Sequence, residues 1–187
     1  VIVRGLRMID AVNEAVVVAK DLSDVVVENC DISQWGSLRV PEKSQHWGKI
    51  QGGIQVGSTV RRLVLQRNRI HHPRYASTRW REEPNNPHPW GPRAIVMGHA
   101  SDDENWEANH VIRYNEIFSD ADHLFEDGIC GGLNFSQTGT PGQDSDIYGN
   151  IITHATVDLI EADGGGMNVR IWGNYLAHGM IVISLQS

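Results

Sequence analysis

Short apolar segments recur along this chain, and one position within each segment repeats the same kind of residue. Six segments follow the pattern apolar-x-x-Asn-x-apolar or a close variant, and Asn occupies the fourth position in the last four. Successive fourth positions are separated by 24, 38, 47, 35 and 24 residues, so the longer steps are the short unit with insertions. These fourth positions are Leu6, Cys30, Asn68, Asn115, Asn150 and Asn174.

A second series of short segments lies between the first. Each is a short run of alternating residues that closes on a small or turn-forming residue, which is typical of a β-strand. The segments cover residues 53–57, 94–98, 128–132, 159–163 and 180–184. A unit of about 24 residues with two or three short strands, repeated six times along the chain, is typical of a parallel β-helix.

The pattern therefore predicts a single all-β solenoid of about six coils over residues 1–187. Each coil stacks its strands on the next coil at about 4.8 Å, and inward Ile, Val and Leu side chains form apolar columns. We expect the Asn residues to stand in single file, because an amide both donates and accepts hydrogen bonds and Asn tolerates the left-handed backbone of a tight turn. Loop insertions are predicted near residues 34–51, 71–92, 99–109 and 133–143.

Several of these segments resemble a known fold family. The segments 147–152 and 171–176, which contain Gly-Asn, and the Asp-Gly-Ile and Asp-Leu-Ile segments at 127–129 and 158–160 resemble right-handed parallel β-helix proteins of the pectin-lyase-like superfamily. The resemblance covers nearly the whole chain and implies a right-handed coil and an extracellular or periplasmic location. That superfamily includes polysaccharide lyases, glycoside hydrolases, epimerases, tailspikes and adhesins, so the fold alone names no reaction.

The two ends of the sequence read as strands without caps. The chain begins at Val1-Ile2-Val3 and closes on the strand-like segment 180–184. We therefore expect a fragment of a β-helix, with flanking coils or partner chains covering its open ends.

Composition excludes several classes of protein. The 187 residues are 40% hydrophobic and 21% charged, which is typical of a globular chain, and no apolar run is long enough for a transmembrane helix. A net charge of −7 argues against a nucleic-acid partner held by phosphate contacts. The two cysteines, Cys30 and Cys130, lie more than two coils apart, so we predict two buried thiols without a disulfide.

The predicted insertions carry most of the unusual side chains. Five of the six Trp residues fall outside the repeated segments. Flat aromatic rings stack on sugar rings, and Arg binds carboxylates through two parallel hydrogen bonds. The loops therefore predict a groove for a polysaccharide, and an acidic polysaccharide is one candidate. The alternative is that the loops pack their own aromatic residues in small satellite clusters. The candidate substrate contacts are Tyr75, Arg79, Trp80, Trp90, His99 and His123.

Acidic residues concentrate in two adjacent coils. Aligning the isoleucines of the second series, with Ile181 in the last coil, stacks Arg93, Asp127 and Asp158 in one column. Carboxyl groups one coil apart repel each other, so one of them is expected to have a raised pKa, which supplies an acid and a base from one residue type. The candidate catalytic residues are Arg93, Asp127, Asp158, Glu161 and Asp163.

Two reactions fit this acidic patch. In glycoside hydrolysis, one carboxylic acid protonates the leaving oxygen and a second carboxylate activates water. In β-elimination, a base removes the proton beside a uronate carboxylate that an arginine or a cation neutralises. Neither reaction requires a cofactor, Ca²⁺ is compatible with the acidic patch, and the histidine spacing assigns no metal ligands.

Two other interpretations remain open. Asp127 and Asp158 can simply cap the turns of a β-helix through their backbone amides. The whole chain can also be a non-catalytic module that binds glycans, adheres to a surface or spaces other domains, as in a surface protein or tailspike. We favour an enzyme, either a polysaccharide lyase or a glycoside hydrolase.

Overall fold

The protein is a parallel β-helix. The computed structural model describes residues 1–37, 51–80, 88–98, 108–131, 139–164 and 166–186. These residues form eighteen short strands, three in each of six coils, and the prediction of an all-β solenoid of about six coils is confirmed. None of the described residues belongs to a helix long and apolar enough to cross a membrane.

Each coil contributes one strand to each of three parallel sheets. The first sheet contains β1 (Ile2–Arg4), β4 (Val26–Glu28), β7 (Val64–Gln66), β10 (Val111–Arg113), β13 (Asp146–Tyr148) and β16 (Arg170–Trp172). The second contains β2 (Arg7–Ile9), β5 (Asp31–Ser33), β8 (Arg69–His71), β11 (Glu116–Phe118), β14 (Ile151–Thr153) and β17 (Tyr175–Ala177). The third contains β3 (Val16–Val18), β6 (Gly52–Val56), β9 (Arg93–Val96), β12 (Ile129–Cys130), β15 (Asp158–Glu161) and β18 (Ile181–Ser184).

Apolar columns fill the space between the three sheets. In every sheet, equivalent residues of successive coils pair in register, so a side chain that points inward meets the same kind of side chain above and below it. One column runs through the third sheet from Val16 through Ile54 and Ile95 to Ile129 and Ile160. Its four isoleucines are fully buried, and they belong to one continuous hydrophobic core.

The predicted file of asparagines is present between the first and second sheets. Asn68, Asn115 and Asn150 are buried, and each side-chain amide donates to the Oδ1 atom of the next Asn at 2.9–3.0 Å. Each amide also donates to a backbone carbonyl, and each Oδ1 accepts a backbone N–H as well. The amides therefore satisfy one another from coil to coil.

The left-handed residue at this corner is the one before each file position. We expected that conformation at Asn itself, and the structure places it one residue earlier. The preceding residues have φ angles of 52–67°, and they are Gly5, Asn29, Arg67, Tyr114, Gly149 and Gly173. The backbone turns before the Asn, which leaves the amide free to point into the interior and join the file.

The last coil also differs from the predicted alignment. Ile183, rather than Ile181, pairs with Ile160, and Ile181 pairs with Asp158. A shift of two residues keeps every side chain on its own face of the sheet, so the alternation of apolar residues cannot distinguish the two registers.

Both cysteines are free and buried, as predicted. Of the four predicted insertions, residues 38–50, 81–87, 99–107 and 132–138 lie outside the described residues.

Candidate functional site

The outer face of the third sheet carries the predicted acidic patch. In β3, Val17 is 64% exposed while Val18 is buried, which places Val17 on the outer face of this sheet. Parallel pairing continues this outward position through Gln55 to Val96 and Cys130. The reactive atoms of Asp127, Cys130 and Glu161 all lie within 4.8 Å of one another, so these side chains share that outer face.

Arg93 holds the first part of the patch together. Its Nη2 atom lies 2.5 Å from Glu126 Oε1, and its Nε atom lies 3.0 Å from Asp127 Oδ2. Glu126 also accepts the backbone N–H of Gly91 at 2.8 Å. All three charged side chains are at most 14% exposed, so Arg93 compensates two carboxyl groups that water cannot reach well. Burial nevertheless raises the pKa of Asp127 well above its usual range.

Asp158 and Glu161 form the second part of the patch, one coil further along. The backbone N–H of Asp158 donates to Asp127 Oδ1 at 3.1 Å, which confirms that the two residues stack. Asp158 is only 4% exposed, and its Oδ1 atom has no hydrogen-bond partner among the described residues. Burial, helped by the nearby Asp163 carboxylate, raises the pKa of Asp158 to about 6. Burial likewise raises the pKa of Glu161 to about 7.

Asp163 is fixed by hydrogen bonds at the edge of the patch. Its Oδ1 atom accepts from Ser184 Oγ at 2.7 Å and from the backbone N–H of Gln186 at 2.8 Å. The structure thus brings all five candidate catalytic residues to one face of the third sheet. Of these, Arg93, Asp127 and Asp163 are held by partners that orient them, and burial raises the pKa values of Asp127, Asp158 and Glu161.

Two aromatic rings lie beside Asp158. Trp80 donates its indole N–H to the carbonyl oxygen of Thr156, two residues before Asp158, at 3.2 Å. The ring of His88 lies 5.0 Å from that of Trp80, and its charge acts to lower the pKa of Asp158, so the imidazole is within electrostatic reach of the acid. Trp80 remains 38% exposed, which leaves part of an aromatic ring open to solvent next to the patch.

The other predicted substrate contacts are distributed differently. Tyr75 is 8% exposed and donates its hydroxyl to Gln51 Oε1 at 3.1 Å, so its ring lies inside the protein. Arg79 is exposed, and Trp90 is half-buried, with its carbonyl oxygen accepting the N–H of Thr78. The structure places His123 in a groove at another corner, and His99 lies outside the described residues.

The spacing of Asp127, Cys130 and Glu161 also raises the question of a bound cation. Arg93 already supplies a positive charge to Asp127, and burial raises the pKa of the Cys130 thiol well above its usual range. Calcium takes six to eight oxygen ligands, which two carboxyl groups and a thiol do not provide. The arrangement is therefore better suited to exchanging protons than to holding Ca²⁺.

Sequence reasoning missed two members of the site. Glu126 is closer to Arg93 than Asp127 is, at 2.5 against 3.0 Å, and the charge of His88 acts on Asp158. Glu126 precedes Asp127 in the chain, and two adjacent acids before a strand are a signal that one of them needs a basic partner. No sequence signal indicates His88, because it lies outside the repeated segments.

No protein-family model, curated protein or solved structure matches this chain. The pectin-lyase-like resemblance therefore rests on the quoted sequence segments together with the solenoid they form.

Proposed function

We propose that this protein cleaves a polysaccharide by acid–base catalysis on the outer face of the third sheet, as a carbohydrate-active β-helix enzyme. The observation that carries the proposal is the pair Asp158 and Glu161. Asp158 and Glu161 are the first and last residues of β15. Asp158 is buried and Glu161 is half-buried, and burial raises their pKa values to about 6 and about 7. General acids and bases work best when their pKa lies near the operating pH.

The pair divides naturally into two roles near neutral pH. Burial raises the pKa of Glu161 further, to about 7, so Glu161 is the general acid that protonates the leaving glycosidic oxygen. The pKa of Asp158 is raised less, to about 6, so its carboxylate is the base that accepts a proton from water or from the sugar. The exposed ring of Trp80 supplies a face on which a sugar ring can stack.

Hydrolysis fits these contacts better than β-elimination. Elimination needs a cation to neutralise the substrate carboxylate, and Arg93 is committed to Glu126 and Asp127 at 2.5 and 3.0 Å. Arg93 is thus a positioning residue for the acids. Arg79 is exposed and can neutralise a substrate carboxylate in place of Arg93, so elimination is tested alongside hydrolysis. A polysaccharide substrate of this kind also implies an extracellular or periplasmic location.

The test is a panel of neutral and uronate polysaccharides in which reducing ends and the absorbance of unsaturated products are followed together. Reducing ends alone indicate hydrolysis, and both signals together indicate elimination. Asp158→Asn and Glu161→Gln should each lower the rate by about 100-fold or more, since general acid–base catalysis contributes that much. Glu116→Gln, an exposed acid of the second sheet, is the matched control and should leave the rate unchanged.

A non-catalytic glycan-binding, adhesive or structural module is the second candidate. The hydrogen bond from the Asp158 backbone to Asp127 favours it, since this contact is the turn cap expected of a purely structural aspartate. Binding of a polysaccharide by folded protein, without any release of reducing ends, would support the non-catalytic module and contradict the proposed enzymatic activity. A cooperative thermal unfolding transition shows that the protein used in the assay is folded.

A further inference from the structure

A groove lies on the outer face of the second sheet, where this sheet turns toward the third. Its volume is about 540 Å³, which is in the range of sites for small ligands. The strand residues that line it are Arg7 and Ile9 of β2, Ser33 of β5 and His71 of β8. The proposed cleavage reaction uses none of these side chains, because its acids lie on the third sheet.

Arg7 stands at the end of a row of alternating charges. In-register pairing places Arg7, Asp31, Arg69 and Glu116 at equivalent positions of successive coils. Arg69 lies 3.2 Å from Asp31 Oδ2 and 3.4 Å from Glu116 Oε2, and His71 Nε2 lies 3.2 Å from Asp31 Oδ1. Both oxygens of Asp31 are therefore occupied. The exposed guanidinium of Arg7 has no ion-pair partner in the part of the chain that the structure describes.

Histidines and a second arginine gather along the groove beyond β8. His72, His123 and Arg74 all line it. Arg74 donates from Nη1 to the carbonyl oxygen of Gly36 at 3.1 Å and forms an ion pair with Asp10. These contacts leave further N–H donors of the Arg74 guanidinium unused. Asp10 is the one acid among the described residues that line the groove, and it is already paired.

The acids beside the groove are all taken up by basic partners. Asp120 faces two imidazoles, with Oδ2 at 3.3 Å from Nε2 of His72 and Oδ1 at 3.1 Å from Nδ1 of His123. Asp31 is paired in the row described above, and Arg74 holds Asp10. A guanidinium binds a carboxylate or a similar oxyanion through two parallel hydrogen bonds. Since the nearby acids are paired, an anion from solution is the partner that Arg7 lacks.

The uncharged part of the lining suits a sugar ring. Gln34 is exposed and Ser33 carries a hydroxyl, so both side chains can donate and accept hydrogen bonds. Ile9 is 42% exposed and adds an apolar surface. Sites for small ligands combine apolar surface with a few polar groups in this way.

We propose that this groove binds a sugar unit that carries an oxyanion, either a carboxylate or a sulfate ester. Arg7 binds the oxyanion, and Ser33 and Gln34 bind hydroxyl groups of the ring. That the ligand is a sugar rests on the proposed function, whereas the oxyanion rests on the unpaired arginine. The groove is thus a second contact for a polysaccharide, separate from the acids that cleave it.

The experiment is an NMR titration of the protein with glucuronate, glucose 6-sulfate, glucose and inorganic sulfate at low salt. At least one charged sugar should shift the imidazole resonances of His123, which His123→Gln identifies, with a dissociation constant of about 1 mM or tighter. The fully buried His110 is the internal reference and should not shift. Glucose lacks the oxyanion and sulfate lacks the ring, so each should bind about tenfold more weakly or worse. Comparison of the two charged sugars shows which oxyanion the groove takes.

Substitution of Arg7 locates the binding. Arg7→Met should weaken binding of the charged sugar by about tenfold or more, since a hydrogen bond to a charged group contributes that much. Arg7→Lys keeps the charge without the planar fork and should fall between Arg7→Met and the unchanged protein. Arg61→Met is the matched control, because Arg61 is also exposed, lies at another corner and has no ion pair with a described residue. Thermal unfolding shows whether each variant is folded.

The proposal is overturned if glucose or inorganic sulfate binds as tightly as both charged sugars, or if neither charged sugar binds. It is also overturned if Arg7→Met and Arg61→Met bind alike. Asp158→Asn separates this site from the proposed cleavage, because it should stop the release of reducing ends while leaving binding in the groove unchanged. Failure of the groove to bind therefore leaves the cleavage result standing, and the reverse holds as well.

Discussion

Two columns of stacked polar residues run along this solenoid, and they behave in opposite ways. Between the first and second sheets, each Asn amide donates to the next Asn and accepts from the one before, at 2.9–3.0 Å. On the outer face of the third sheet, carboxyl groups occupy successive coils, and an ionised carboxylate can only accept. Amides therefore stabilise the stack, whereas the acids need Arg93 or a proton to coexist.

The comparison shows what a coil-to-coil repeat can be used for. At the same spacing of about 4.8 Å, amide side chains form a row in which each hydrogen-bonds to the next, whereas carboxyl groups form a row in which each affects the pKa of its neighbour. The Asn file serves the fold, since every polar atom in it is paired. The acidic face retains an unpartnered carboxyl oxygen at Asp158 and raised pKa values, which are the properties a reactive site requires.

Removing the arginine from the acidic face should have the largest effect. Arg93→Met leaves Glu126 and Asp127 buried without a cation, and breaking a buried ion pair in this way typically costs 3–5 kcal/mol. Urea unfolding should show this loss at pH 8 and a smaller loss at pH 5, because burial raises the pKa of Asp127 and this carboxyl group can take up a proton instead. Arg170→Met, which breaks an exposed pair with Asp146, should cost less than about 1 kcal/mol at both pH values. Equal losses for the two variants would show that the acids do not depend on Arg93.

Interrupting the Asn file should have the next largest effect. Asn115→Ala removes the acceptor of the Asn68 backbone N–H and of the Asn68 side-chain amide, and the side-chain donor to the Leu65 carbonyl, all of which are buried. Each buried group left without a partner costs about 1–3 kcal/mol, so we expect a loss of about 3 kcal/mol or more in the free energy of unfolding.

Asn174→Ala supplies the matched control within the same file. Asn174 is half-buried in the last coil, where water can replace part of what is lost, and the expected loss is about 1 kcal/mol. Both measurements use chemical denaturation at pH 7. A loss at Asn115 no greater than that at Asn174 would contradict the idea that the file is satisfied as a unit.

The pH dependence of stability should show the smallest effect. The folded-state pKa of Glu161, about 7, lies above its usual 4.5, so the folded protein binds more protons than the unfolded chain between these values. Stability should therefore fall as the pH rises from 5 to 8, and Glu161 should account for about 2 kcal/mol of that fall. Glu161→Gln should flatten the decline, whereas Glu116→Gln should not alter it. Identical declines in both variants would mean that Glu161 titrates normally.

The general fold could be predicted from the sequence because the coil repeat appears directly in the spacing of short apolar segments along the chain. The strand segments, the six coils, the Asn file and the two free buried thiols all follow from spacing and alternation, and the structure contains each of them. The grouping of Arg93 with Asp127, Asp158 and Glu161 also follows, since residues at equivalent positions of a solenoid become neighbours.

Contacts between parts of the chain that do not share the repeat were decided only by the tertiary structure. The register of the last coil, the pairing of Glu126 with Arg93, the interior position of Tyr75 and the gathering of histidines at one corner lie outside what alternation encodes. Alternation determines which face of a strand a side chain occupies. It does not determine the course of the backbone at the bends between strands, and there the burial of charges and rings against distant residues selects the arrangement.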